Sequence, residues 1–276
     1  MHKGIATVYF IAAIFIAFSL GTPISSNATV FWNEGFENQL YPNWTGGGGC
    51  ITAGSPDGVA CSYPQITTSL AFAGTHSLLS HYASSDQQAG TFMDRAIPET
   101  VDLWTRQYAR WNNFVFGPQN DKFFLTGGPE NGVGVYWLHQ NAGPELHAQV
   151  YHPTTVTCPN GNRDITCNYT PNIAHIALND NKWHCIETRQ NSGTANTANG
   201  LVELYIDGVL TTRYTNLLMK STAHGITMIR AYAQNGKGDR YQDDWAVGNS
   251  RIGCSGSPSP STTTPPPATP TGLVIQ

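Results

Sequence analysis

The sequence predicts an all-β sandwich of two antiparallel sheets, and three observations carry that expectation. Segments of alternating apolar and polar residues recur along the chain, clusters of Gly, Pro, Asn and Asp separate them, and no stretch has the apolar spacing of an amphipathic helix of useful length. Repeated strand and turn spacing without helices builds sandwiches and jelly rolls.

Taken in order, Met1-His2-Lys3 precedes an apolar run from Ile5 to Leu20, then the breaker Pro23 and the small-x-small pattern Ser26-Asn27-Ala28. Residues 1–28 therefore read as a secretory signal peptide, with an uncleaved anchor as the alternative. Residues 29–256 form one domain large enough to bury a core. Its expected strands follow the opening Phe31-Trp32-Asn33-Glu34-Gly35-Phe36-Glu37 at 74–82, 103–111, 122–125, 133–138, 145–151 and 183–190. Next come a hairpin over 200–209, turning at Asp207-Gly208, and strands at 225–234, 243–248 and 251–254. Residues 257–276 begin as a Pro/Ser/Thr linker, and the closing Pro270-Thr271-Gly272-Leu273-Val274-Ile275-Gln276 is similar to the first strand of a fibronectin type III module.

Without the signal peptide, 13 Lys plus Arg remain against 18 Asp plus Glu, a net charge of about −5, and no basic run exists. That balance argues against nucleic acid as a partner. A secreted or cell-surface monomer with no membrane span after cleavage is the expectation. The 6 cysteines imply a disulfide framework. Proximity favours Cys50–Cys61 and Cys158–Cys167, which leaves Cys185–Cys254 to close a long loop, worth about 3 to 4 kcal/mol in the chain-entropy model. Zinc is the competing reading, but no CxxC pair is present.

Alternation assigns side chains to faces. Arg106, Tyr108 and Arg110 share one face of their strand, as do Glu145, His147, Gln149 and Tyr151 on theirs, and Arg230, Tyr232 and Gln234 on a third. If these strands are neighbours, one sheet carries rows of Arg, His, Gln and Tyr too polar for a core. Structural roles compete with this reading at each position, because a strand-borne Arg beside Tyr commonly forms a stacked surface pair. Glycosidase chemistry finds less support: the Glu-x-Asp-x-x-Glu strand of jelly-roll glucanases is absent. Neither a nucleophile elbow nor a phosphate loop is present. Asn-x-Thr sequons stand at Asn43 and Asn168.

The order of the last strands resembles the end of concanavalin-like jelly rolls, a clan that includes polysaccharide lyases, laminin-G-like modules and lectins. Jelly-roll alginate lyases carry an Arg strand, a Gln-x-His strand and a Lys-Ala-Gly-x-Tyr-x-Gln strand across a concave sheet. This chain is similar in Arg106-x-Tyr108, His147-x-Gln149 and Arg230-Ala231-Tyr232-Ala233-Gln234, with His and Gln reversed and Arg in place of Lys. The segment 120–128 is similar to a Lys-bearing strand of glucuronan and alginate lyases, and adds Lys122. The resemblance implies a polysaccharide partner and β-elimination at a uronic acid. Arg106 and Gln149 would clamp the carboxylate, His147 would act as base or second clamp, and Tyr232 as acid/base. Tyr108, Arg110, Lys122, Tyr151, Arg230 and Gln234 would bind substrate around them. The alternative is a non-catalytic laminin-G-like carbohydrate-binding or adhesion module. Jelly rolls also pair first and last strands, which would bring Glu37 to Asp244 as ligands of a structural Ca2+.

Overall fold

The computed structural model describes residues 29–37, 45–46, 65–82, 90–118, 120–128 and 133–254. In chain order the strands are β1 (Val30–Glu34), β2 (Thr45–Gly46), β3 (Gln65–Thr67), β4 (Ser77–Tyr82), β5 (Gly90–Thr100), β6 (Asp102–Val115), β7 (Asp121–Gly128) and β8 (Val133–His139). They continue with β9 (Leu146–Thr157), β10 (Arg163–Tyr169), β11 (His184–Asn191), β12 (Gly200–Ile206), β13 (Val209–Leu217), β14 (Ile226–Gln234) and β15 (Lys237–Gly248). No helix occurs among the described residues, and none is long and apolar enough to cross a membrane.

Every pairing is antiparallel. One sheet runs β13-β12-β11-β6-β15-β4-β3, with β1 also on β15, and the other runs β10-β9-β8-β7-β14-β5-β2. Neighbours such as β6 and β15, or β7 and β14, are far apart in sequence, so each sheet is assembled by crossovers. That is the architecture of a concanavalin-like jelly roll. The inner faces follow from alternation. Leu103 and Trp111 of β6, Val202 and Leu204 of β12 and Trp245 of β15 meet Phe124 of β7, Val135 and Trp137 of β8 and Ile229 of β14, all buried. Phe124 stacks on Trp137 and sets its edge to Trp245. A fully buried side chain of this class contributes about 1.5–3 kcal/mol.

Polar groups also cross the core. Arg240 of β15 donates to Asp121 of β7 at 3.4 Å and to the carbonyl of Tyr232 on β14, and both side chains are fully buried. Thr126 of β7 donates to Gln190 of β11.

Two of the expected disulfides are formed, Cys158–Cys167 across the β9–β10 hairpin and Cys185–Cys254 with Cα atoms 5.8 Å apart. Cys50 and Cys61, the segment expected as a signal peptide and the one expected as a linker lie outside the described residues. Residues 251–254, expected as a strand, are instead a strap over the outer face of the eight-stranded sheet. The Glu187 carboxylate takes the Ile252 and Gly253 N–H groups at 2.9 and 2.7 Å, and the Arg251 guanidinium at 2.9 Å. A side chain occupies the donors that a neighbouring strand would have used.

Candidate functional site

The outer face of the seven-stranded sheet gathers the polar rows. Register fixes them: Asn168 faces Gln149, Gln149 faces Tyr136, Tyr136 faces Leu125, Leu125 faces Arg230 and Arg230 faces Asp94, straight across the sheet. One row on, His147 faces Leu138 and Leu138 faces Lys122, while Tyr232 faces Phe92. In the opposite direction, Tyr151 faces Gly134 and Gly134 faces Gly127, which faces Met228. Two paired glycines leave a strip without side chains between Tyr151 and Met228, and the row beside it rises to Tyr136. The result is a trough flanked by tyrosines.

Lys122 occupies the centre. Its Nζ lies 4.6 Å from the Tyr136 ring centroid and 5.6 Å from that of Tyr232. Among the described residues it has no carboxylate partner. Burial, then the neighbouring Arg230 charge, hold its ammonium below the usual lysine range. Arg230 is differently placed. It makes a two-pronged ion pair with Asp94, one prong at 2.7 Å, lies over the Phe92 ring at 3.8 Å and donates to the Tyr232 hydroxyl at 3.3 Å. The Tyr232 and Tyr136 hydroxyls are 3.4 Å apart. Burial and the Tyr232 hydrogen bond push the Tyr136 phenol up, so Tyr136 stays a neutral donor. Gln149 donates to Asn168 at 2.8 Å, and His147 contacts Gln140 at 3.1 Å. Burial lowers the His147 pKa, which keeps the ring neutral at pH 7.

Lys122, His147, Gln149, Tyr151, Arg230, Tyr232 and Gln234 thus share one face. Arg106, Tyr108 and Arg110 do not. They stand on β6 in the other sheet, and their row points to its outer side, so the expected Arg106 clamp is absent from this face. Arg106 is buried against Asp244 at 3.0 Å, and Tyr108 stacks on Phe72 and donates to the Cys254 carbonyl. Arg110 donates to Asn112. His147 is in the Lys122 row, but β7 and β8 separate its strand from that of Tyr232, three steps or about 14 Å. One sugar ring does not span that gap.

Tyr136, Asn168, Phe92 and Asp94 were not among the expected site residues. Tyr136 was findable from the alternation Gly134-x-Tyr136-x-Leu138, and Asn168 stood out only as a sequon.

The calcium expectation meets a donor set that does not fit. Pairing of β1 with β15 occurs as expected, Glu34 facing Trp245. Yet Glu37 accepts from the Thr75 and His76 N–H groups at 2.9 and 3.0 Å and from the Thr75 hydroxyl at 2.9 Å, while Asp244 is taken by Arg106. Among the described residues no three His, Cys, Asp or Glu side chains form a metal cluster.

No protein-family model and no curated protein sequence matches this chain. Solved structures do match. An endo-β-1,4-glucuronan lyase from the fungus Trichoderma reesei is similar over 80% of this chain and 96% of its own, with 16% identity and a TM-score of 0.53. The cellulose-induced protein Cip1 is similar over 81% of this chain and 100% of its own, at 16% identity and a TM-score of 0.54. The alginate lyase vAL-1 from a Chlorella virus covers 68% of this chain and 90% of its own, at 11% identity and a TM-score of 0.54. At such identities the shared property is the fold, a concanavalin-like jelly roll of the kind that polysaccharide lyases use.

Proposed function

We propose that the protein is a secreted polysaccharide lyase acting by β-elimination on a uronate-containing polymer, with its site on the outer face of the seven-stranded sheet. The observation that carries this reading is Lys122, a half-buried cation without a carboxylate partner among the described residues, held between two tyrosines. Set against a sugar carboxylate, its charge acidifies the adjacent C5 proton, while Gln149, on β9 like His147, is placed to contact a neighbouring ring. Tyr232 gives its hydroxyl proton to the leaving glycosidic oxygen and takes the C5 proton in its place, which restores the phenol. The C5–H and C4–O bonds break, and a C4=C5 double bond forms. Negative charge that builds on the Tyr232 oxygen meets the Arg230 N–H at 3.3 Å. Tyr136 accepts from the Tyr232 hydroxyl at 3.4 Å and offers its own hydroxyl to the ring. Lys122 therefore takes the clamp role expected of Arg106. Two disulfides fit an oxidising, extracellular setting.

A non-catalytic glycan-binding module is the second reading, favoured by the separation of His147 from Tyr232, which leaves no second base at the same ring. Incubation with uronate polymers, both all-uronate ones such as glucuronan and ones whose uronates alternate with neutral sugars, separates the two. A lyase releases unsaturated ends that absorb in the near ultraviolet, and Tyr232→Phe lowers that rate about 100-fold or more while binding persists. Wild-type protein that binds these polymers without releasing such ends refutes the lyase reading.

A further inference from the structure

Every Lys and Arg after Lys3 lies among the described residues, so the cations available to a polyanion can be located one by one. Arg106, Arg110, Arg189 and Arg213 are on the eight-stranded sheet, and Arg251 is strapped against its Glu187. Arg240 is inside the core, Arg95 packs on Trp32, and Lys220 is buried. Lys182 pairs with Asp180, Lys237 opens β15, and Arg163 opens the edge strand β10 beyond the Tyr151 row. Two cations remain on the outer face of the seven-stranded sheet, and Asp94 already pairs with one of them, Arg230. Lys122 is the cation left to receive a carboxylate. Around it the face offers neutral groups: Gln149, Asn168, Gln140 and Gln234 for hydroxyls, and Phe92, Tyr136, Tyr151 and Tyr232 for the apolar faces of sugar rings.

We propose that the polymer recognised here carries isolated uronates separated by uncharged sugars, and not a carboxylate on every ring. This inference rests on the proposed glycan role of the same face. Seven strands at about 4.8 Å give a face roughly 29 Å wide, on which several rings of an extended chain lie side by side. A homopolymer of uronates, even one that turns alternate carboxylates away, brings two or more of them onto this face. One finds Lys122. The others lose water against tyrosine rings and amides without a counter-charge, which is the arrangement that discriminates against a ligand. The chain's net charge of −4 adds long-range repulsion that grows with the charge density of the polymer. A neutral chain interrupted by single uronates satisfies the one cation and stacks elsewhere.

Binding of the intact protein is measured by calorimetry at physiological salt to three polymers. They are an all-uronate homopolymer, a polymer whose repeat has one uronate among neutral sugars, and the same polymer after carboxyl reduction. The interrupted polymer should bind at least tenfold more tightly than the homopolymer. Carboxyl reduction should weaken binding about tenfold, and Lys122→Met should abolish the difference between native and reduced forms. Equal or tighter binding of the homopolymer overturns the proposal, as does indifference of wild-type protein to carboxyl reduction. Unsaturated ends are read in the same samples. Selective binding without them refutes elimination and sustains this inference, product from a homopolymer bound at least as well as the interrupted polymer does the reverse, and no binding to any of the three refutes both.

Discussion

At Gly134 an added Cβ meets only ordinary contacts, 3.7 Å from Leu125 and 4.0 Å from Tyr151, whereas at the facing Gly127 it meets the Val133 carbonyl oxygen at 2.0 Å. Gly127 also has φ +147°, a conformation that side chains resist. The two glycines therefore keep the trough bare for different reasons. Gly127→Ala should cost about 1–3 kcal/mol in chemical denaturation, because backbone must move. Gly134→Val should change stability by no more than about 0.5 kcal/mol, since a β-branched residue suits an outward strand position. If the trough holds the polymer, the same valine should weaken polymer binding tenfold or more. Unchanged affinity in a normally folded Gly134→Val protein would remove the trough from the binding face. At this scale the sequence was informative about direction. The alternations His147-x-Gln149-x-Tyr151 and Arg230-x-Tyr232-x-Gln234 place their side chains on one face as period-two reasoning requires. It was silent about Lys122 as the centre, because the absence of a carboxylate near an ammonium is a property of four strands at once.

Elements were less legible than residues, for a reason visible in β6. Parity tells which side chains share a face, but strand pairing decides which sheet owns that face, and pairing is non-local. Arg106, Tyr108 and Arg110 look like a solvent-facing polar row. In the fold that row is covered: Phe72 stacks on Tyr108 with ring centroids 3.5 Å apart, and the Cys254 carbonyl accepts its hydroxyl. The short β2 and β3 were missed, as were β5, β10 and most of β13; β5 carries Asp94, Arg95 and Pro98, and β10 opens on Arg163 and Asp164, which interrupt an apolar alternation. The hairpin of β11 and β12 gives an element-scale test. His184 lies between Asp207 and Asp180 at 2.7 and 2.9 Å. Burial opposes its charge, but the two carboxylates outweigh that and hold its pKa above 6.5. Asp180 is held down to about 2, its slight burial outweighed by His184 and Lys182, and Asp207 is lowered by His184 and the Cys185 N–H despite its burial. A raised histidine stabilises the fold fully below its unfolded value and loses that contribution as pH rises through the folded one; the lowered aspartates lose theirs on acidification. Wild-type protein should thus fall in melting temperature between about pH 6 and 8.5 more steeply than His184→Gln. Burial raises Asp243 to about 7, which gives both proteins a slope of the same sign, so the difference between them isolates His184. Parallel curves would show that the clamp contributes nothing.

For the whole molecule, two sheets face each other across a core that alternation made legible: Trp111, Trp137 and Trp245 were all in recognisable strands, and all are fully buried. The charges inside that core were not legible. Arg240 and Asp121 occupy positions flanked by polar neighbours, and only the facing of β15 against β7 and β14 shows them bridging the sheets beneath Lys122 and Tyr232. Burial pushes the Asp121 carboxyl up to about 8, with Arg240 pulling it back. The two halves of the bridge should therefore tolerate loss unequally. When Arg240 is replaced by Met, Asp121 can take a proton and remain in the core as a neutral acid, leaving its lost hydrogen bond and the Tyr232 carbonyl as the damage. When Asp121 is replaced by Leu, the guanidinium has no neutral form to adopt and stays charged in an apolar interior. Asp121→Leu should cost about 1–3 kcal/mol or more, the range for leaving a buried donor without its acceptor and higher when that donor is charged, and Arg240→Met clearly less. The order should depend on pH: Arg240 holds the Asp121 pKa down to about 8, so above that pH the Arg240→Met protein goes on losing stability after wild-type protein has levelled off and its penalty grows, while the penalty of Asp121→Leu shrinks between about pH 6 and 8 because only wild-type protein then loses stability from its raised acid. Denaturation midpoints of both variants at pH 6 and pH 9 measure this directly. Equal penalties at pH 6, or a gap that does not narrow at pH 9, would mean that Asp121 is ionised in the core throughout and that the bridge is held by charge at every pH.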